Sequence, residues 1–269
     1  MSKADVFGRA NDDYFAALEH EITDAESLEG VVRTALVTGR AADALTRLRE
    51  LAERQGRGPH DGAERQDART ERVDGRTEFR DFSPGATHPR VLVALSKLQS
   101  ASGSRDDALA SARRATEVAR TDPAGFEQLA SLYADAGDTV RLDQTVDVLV
   151  HLGPDQAATL YYGAVAQLLH GNLPQAMVLA ERGIGLHPKY AALYDLVGAV
   201  YTKMGQVFRA RWAFNQSLSY DAHDSTAYEN LGLLALEEGD LATARNYFAE
   251  ALWLVPDSRI AREGLARSR

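Results

Sequence analysis

Cysteine is absent from all 269 residues, which removes disulfide staples, thiolate zinc sites and a cysteine nucleophile together. Lysine is almost as scarce. Lys3, Lys97, Lys189 and Lys203 leave 26 of the 30 basic residues as arginine, a bias that, with abundant Ala and Asp, points to a GC-rich bacterial genome. Positive charge is in deficit, with 39 acidic residues giving a formal charge of −9 and a pI near 5.3. Such a chain is repelled by phosphate backbones and anionic lipid, so no nucleic-acid partner is expected. No window approaches the roughly 20 apolar residues of a membrane-spanning helix. Met1-Ser2-Lys3-Ala4-Asp5 carries no apolar run behind its lysine. Neither membrane insertion nor a secretory leader is expected, and a cytoplasmic location is.

What is present is a period. Gly103, Gly137, Gly171, Gly205 and Gly239 recur at a constant step of 34. Ala108, Leu142, Ala176, Ala210 and Ala244 follow at the same step, each at a fixed offset from its glycine. Leu92, Phe126, Leu160, Tyr194 and Tyr228 form a third ladder, and Leu95, Leu129, Gly163, Val197 and Leu231 a fourth. Within the last period, Tyr228, Leu231, Gly232 and Ala235 share one face of a helix at i, i+3, i+4 and i+7. Gly239-Asp240 breaks that helix, because glycine takes the left-handed conformation without steric cost. Ala244, Phe248, Ala251 and Leu252 form the next apolar stripe, and Pro256, without an amide donor, ends it. Small residues at 232, 244 and 251 allow the paired helices to approach closely.

These residues closely resemble the tetratricopeptide repeat, whose pattern runs Trp/Tyr-x2-Leu-Gly-x2-Tyr, Ala-x3-Phe-x2-Ala and Pro over the same period. The resemblance implies an all-α fold, an α-α solenoid in which helix pairs stack into a right-handed superhelix. Five consecutive units fall at 89–258, beginning at 89, 123, 157, 191 and 225, with the second helix of the 123 unit atypical at Val140-Arg141-Leu142. Residues 1–58 hold one divergent unit and, at Ala10, Tyr14, Ala17 and Leu18, the second helix of another. Residues 59–88 carry mixed charge without apolar periodicity, cannot bury enough surface to offset ordering entropy, and read as a mobile insertion. Residues 259–269, with Ile260, Leu265 and Ala266, read as a polar capping helix.

The sequence offers no pattern for catalysis, a cofactor or a metal. His20-Glu21 is followed by Asp24 where a zinc protease needs a second histidine. His151, His170, His187 and His223 occupy different repeat positions and cannot converge. Gly183 and Gly185 precede no Gly-Lys-Ser/Thr, and there is no Gly-x-Ser-x-Gly elbow. An open solenoid also lacks the enclosure that tunes a catalytic pair.

Binding is therefore the expectation, and helical geometry says where. At about 100° per residue, first-helix positions 4, 7, 8 and 11 share one face, with 2, 5, 9, 12 and 13 nearly opposite. In the resembled family the second set lines a concave groove. Here it offers Arg90 and Lys97, then Glu127 and Asp135, then Tyr161, Val165, Leu168 and Leu169. Asp195 and Lys203 follow, and finally Glu229, Leu233 and Glu237. An apolar centre with acidic flanks fits a protein or peptide partner that supplies apolar anchors and basic flanks; alternatively Leu168 and Leu169 pack between neighbouring units. The clamp by which some family members hold a chaperone's C-terminal carboxylate is missing, since Glu127, Tyr161, Asp195 and Glu229 stand at its lysine position. On the second helices, Phe208, Trp212 and Trp253 lie opposite the buried stripe and offer a convex interface. The expected function is a non-catalytic scaffold. A regulatory or substrate-recruiting segment of a larger enzyme, a homo-oligomer, and a subunit of a large complex remain as alternatives.

Overall fold

The computed structural model describes residues 3–56 and 88–269; the expected insertion at 59–88 lies, apart from His88, outside them. The described residues form helices and no strand. In chain order these are α1 Lys3–His20, α2 Ala25–Thr38, α3 Ala41–Gly56, α4 Pro89–Ala101, α5 Arg105–Val118, α6 Pro123–Asp135 and α7 Thr139–Leu152. They continue with α8 Ala157–Leu169, α9 Leu173–Leu186, α10 Ala191–Lys203, α11 Val207–Tyr220, α12 Ser225–Glu237, α13 Leu241–Leu254 and α14 Arg259–Arg267. From α4 onward, first helices start at 89, 123, 157, 191, 225 and 259, and second helices at 105, 139, 173, 207 and 241. The sequence period is thus the structural one. Among the described residues no helix is long and apolar enough to cross a membrane.

Local chemistry sets the breaks. The turn inside each pair passes through a glycine at positive φ, from 64° at Gly137 to 83° at Gly103, with Gly39, Gly171, Gly205 and Gly239 between. Side chains with a Cβ are strained there, so each turn depends on its glycine. The carboxylates of Asp122, Asp138, Asp224 and Asp240 and the hydroxyl of Ser258 accept from first-turn amides of the helices that follow. Each cap satisfies donors that the helix leaves open.

The described residues fall into two compact units, one within Met1–Leu36 and Arg40–Arg120, the other Thr121–Arg269 with Val37–Gly39. In the first, Phe15, Leu18, Leu28, Val31, Leu48, Leu95 and Leu98 share one core. Helix α1 buries Phe15 and the expected Leu18, leaves Ala17 exposed and holds Tyr14 half-buried against Gly30; Ile22, just beyond its end, is buried as well. Helices α4 and α5 pair through Ala108, Ala112 and Ala115, all buried.

In the second unit, α6, α8, α10 and α12 lie side by side, and each second helix touches its own partner and the first helix that follows. The stripe Ala210, Phe214, Ser217 of α11 is buried, as is Ala244, Phe248, Ala251 of α13. In α7 the stripe is Leu142, Val146, Leu149, with Val146 only half-buried; Phe126, Leu129, Tyr133, Thr145 and Val148 line a hollow beside it. Helix α14 buries Ala261 and Gly264, half-buries Leu265 and leaves Ile260 and Ala266 exposed. Its contact with α13 is made through the smallest residue, because the Phe248 ring already fills that space.

Close approach also explains the glycine inside α10. A Cβ at Gly198 would stand 2.5 Å from Cε1 of the buried Phe214. Gly198→Ala is therefore expected to destabilise by about 1–3 kcal/mol through overpacking, more than the roughly 1 kcal/mol that alanine gains in helix propensity. A denaturation midpoint at or above the parent's would show that the Phe214 ring yields without cost.

Candidate binding groove

Repeat position 5 on the first helices and position 34, the residue just before the next first helix, meet in pairs. Tyr161 of α8 faces Tyr190, ring centroids 6.2 Å apart at 61°. Glu229 of α12 accepts a hydrogen bond from the hydroxyl of Ser258. Between them, Asp195 of α10 stands against Asp224. The face is a ladder whose rungs differ in chemistry.

Around the first rung lies an aromatic and aliphatic patch. Tyr161 also meets Tyr162 edge-on at 5.0 Å. Tyr161, Val165 and Leu168 are half-buried and pack on the core of Ala164, Leu193, Leu196 and Val197. Leu169, one residue on, is 43% exposed. The two leucines therefore differ: Leu168 packs on the core of the neighbouring helices, and Leu169 is the more exposed. Leu233 of α12 is half-buried against the last core cluster.

The charged rung is electrostatically unusual. Oδ1 of Asp195 is buried and has no hydrogen-bond partner. Asp224 is fully engaged, accepting from Ser217 Oγ at 3.0 Å and from the amides of Thr226 and Ala227. Burial, and then the Asp224 carboxyl beside it, push Asp195 up to about 9. Burial likewise raises Glu229, opposed by the Ser258 hydrogen bond, and raises Tyr161 and Tyr190 above the ordinary phenol value.

The remaining expected groove residues scatter more widely. Glu127 is half-buried, and Asp135, Lys203 and Glu237 are exposed. In the first unit, Lys97 is exposed and Arg90 donates to the Thr23 carbonyl at 3.3 Å. Phe208 and Trp212, one turn apart on α11, are 85% and 56% exposed, and Trp253 on α13 is 49% exposed. Position 34, represented by Tyr190 and Asp224, was not part of the expected groove. Its signal was available as one more ladder of the same period, running Asp122, Gln156, Tyr190, Asp224, Ser258.

The histidines stay apart. His170 Nε2 lies 2.9 Å from Asp143 Oδ2, His151 Nδ1 2.6 Å from the Asp147 carbonyl, and His187 Nε2 2.6 Å from the Asp155 carbonyl. Among the described residues, no three His, Asp or Glu side chains gather where they could hold a metal ion.

No family model matches the sequence. Over 113 residues the chain is 27% identical to the cellulose synthase operon protein C of Komagataeibacter sucrofermentans. That match covers 36% of this chain and 8% of that protein, so the chain spans a small part of that relative's length. Among solved structures, a tetratricopeptide repeat protein of Parabacteroides merdae superposes with a TM-score of 0.65 at 14% identity, over 97% of this chain and 92% of that one. A thermophilic protein of the same repeat type from Thermus thermophilus gives 0.60 at 23% identity, over 67% and 98%. With the periodic helix pairs, their glycine turns and these superpositions, the chain has the tetratricopeptide-repeat fold.

Proposed function

We propose that this chain is a non-catalytic scaffold that holds an apolar-anchored segment of a partner protein on the first-helix face of α8, α10 and α12. The observation that carries this reading is the half-covered patch of Tyr161, Val165 and Leu168, continued outward by Leu169. Such side chains have surface left to bury, and burial yields about 25 cal/mol per Å². Acidic side chains at Glu127, Asp135, Asp195, Glu229 and Glu237 against Lys203 favour a segment with basic flanks. In this reading 123–258 is the binding array, and 25–58 and 89–122 are further repeat units, the latter carrying Arg90 and Lys97; 59–88 is a charged insertion and 259–269 a polar capping helix. The work is cytoplasmic.

A second reading rests on Phe208, Trp212 and Trp253, whose exposure fits self-association or docking into a larger complex. A third reading is a regulatory or substrate-recruiting segment of a larger enzyme; the match to the cellulose synthase operon protein covers 8% of that longer protein.

Two sets of variants separate the faces. Each is used to capture partners from an extract of the host cell, with quantitative mass spectrometry as the readout. Tyr161→Ala/Leu168→Ala/Leu169→Ala, backed by the surface variant Leu169→Asp, is expected to weaken capture at least about 30-fold, the value of one hot-spot residue. Phe208→Ala/Trp212→Ala/Trp253→Ala is expected to leave it unchanged. The reverse pattern, or a change in sedimentation for the second set alone, replaces the groove with the convex face.

A further inference from the structure

We infer that the Asp195–Asp224 rung is a subsite for one Lys or Arg side chain of the segment bound on this face. The inference rests on the groove reading and adds to it the charge and position of a ligand side chain. Its first support is the comparison along the ladder. The rungs on either side are complete, Tyr161 with Tyr190 and Glu229 with Ser258. Of these three rungs, the central one alone sets carboxyl against carboxyl.

The second support is an unmet hydrogen bond. Asp195 Oδ1 is buried without a partner, and a buried acceptor left unpaired is costly. Among the described residues, neither Asp195 nor Asp224 has a cation within ion-pair distance. The charged groups acting on Asp195 are Asp224 and Asp221, both from the α11–α12 connection. From the other helices packed there, α8 presents Tyr161, α11 the hydroxyl of Ser217, and α12 Glu229, which feels Asp224. Every facing group is acidic or neutral. A guanidinium or ammonium entering beside Tyr161 would pair with the Asp195–Asp224 carboxyls and cancel the repulsion, with its aliphatic stem lying on the aromatic patch.

The free protein meets the same need with a proton. Asp195, pushed up to about 9 by burial and Asp224, is protonated at neutral pH. A bound cation takes the place of that proton, which leaves to solvent. Affinity for a basic segment therefore rises with pH below about 9, by at most about tenfold per pH unit for one proton released.

Random 12-mer peptides displayed on phage supply the test, selected against three proteins of equal helical content. These are the parent, Asp195→Asn/Asp224→Asn, and Tyr161→Ala/Leu169→Asp. Asparagine keeps the shape of each carboxyl and caps α12 about as well as aspartate. The parent is expected to enrich peptides with Lys or Arg next to an aromatic or aliphatic residue. The double asparagine variant should keep the apolar preference and lose the basic one. In a selected peptide, citrulline in place of arginine should then weaken binding to the parent about 10- to 100-fold, as a charge-assisted hydrogen bond implies, and leave binding to the asparagine variant unchanged. Apolar enrichment without basic enrichment, or equal basic enrichment by the asparagine variant, overturns the subsite and leaves the groove intact. No enrichment by the parent, or the same peptides from Tyr161→Ala/Leu169→Asp, overturns the groove reading and the subsite with it.

Discussion

Phe248→Ala is expected to cost about 3–5 kcal/mol, the range for truncating a fully buried phenylalanine, and to unravel the C-terminal helices first. The ring has no exposed surface and is held between two glycines. A Cβ at Gly232 would come within 2.7 Å of its Cε1, and one at Gly264 within 2.3 Å of its Cζ. One side chain thus fills the space shared by α12, α13 and α14. Glycine backbone on both sides cannot collapse into the void, so the cavity penalty should be near the upper end. Because helix pairs touch only their neighbours, hydrogen-exchange protection should fall in α12–α14 and persist in α8 and α9. Uniform loss of protection through the second unit would contradict neighbour-only packing.

Asp195→Asn is expected to raise stability at pH 8, because the aspartate must hold in the fold a proton that the unfolded chain has already released. The sign follows from proton binding. The ordinary aspartate value of 3.8 holds in the unfolded chain, and the fold raises it to about 9. Between those values the folded state holds the extra proton, so the parent loses stability as pH rises and levels off above about 9. Asparagine mimics the protonated acid and has no such slope. Urea midpoints measured from pH 5 to 8 should therefore diverge, the variant overtaking the parent by an increasing margin. Parallel curves would mean that Asp195 is ionised in the fold at neutral pH.

The repeat could be read from residues because its signals are local. A glycine once per period marks each turn, and alanines at fixed offsets mark each close approach. The stripe assigned to the second helices is buried in α3, α5, α9, α11 and α13. Misreadings came where the period gives no guidance. In α1, Phe15 rather than Ala17 reaches the core. In α14 the side buried beside Phe248 is that of Ala261 and Gly264, while Ile260 and Ala266 are exposed. The groove was half legible. Helical angles alone locate Tyr161, Asp195 and Glu229 on one face. Their partners Tyr190, Asp224 and Ser258 lie beyond the second helix of the same pair, in loops, and no helical wheel connects them. The pairing of two carboxylates is a fact of tertiary structure.

The sandwich of Phe248 between Gly232 and Gly264 bears on how such a chain can lengthen. Helix α14 begins one period after α12, and its glycine receives the ring that α13 presents. A tandem copy of residues 225–258 inserted in frame before α14 would end in the same ring, facing the same glycine. The old Phe248 would then precede the copy of α12, where the repeat position of Gly264 is held by the counterpart of Asn230. That junction already has a precedent in the chain, because Phe214 at the same place in α11 precedes Asn230 in α12 and is itself fully packed. Both new seams would therefore repeat seams the protein already tolerates. Gly264 belongs to α14 and travels with it, so duplication at this end can add a unit without a compensating substitution.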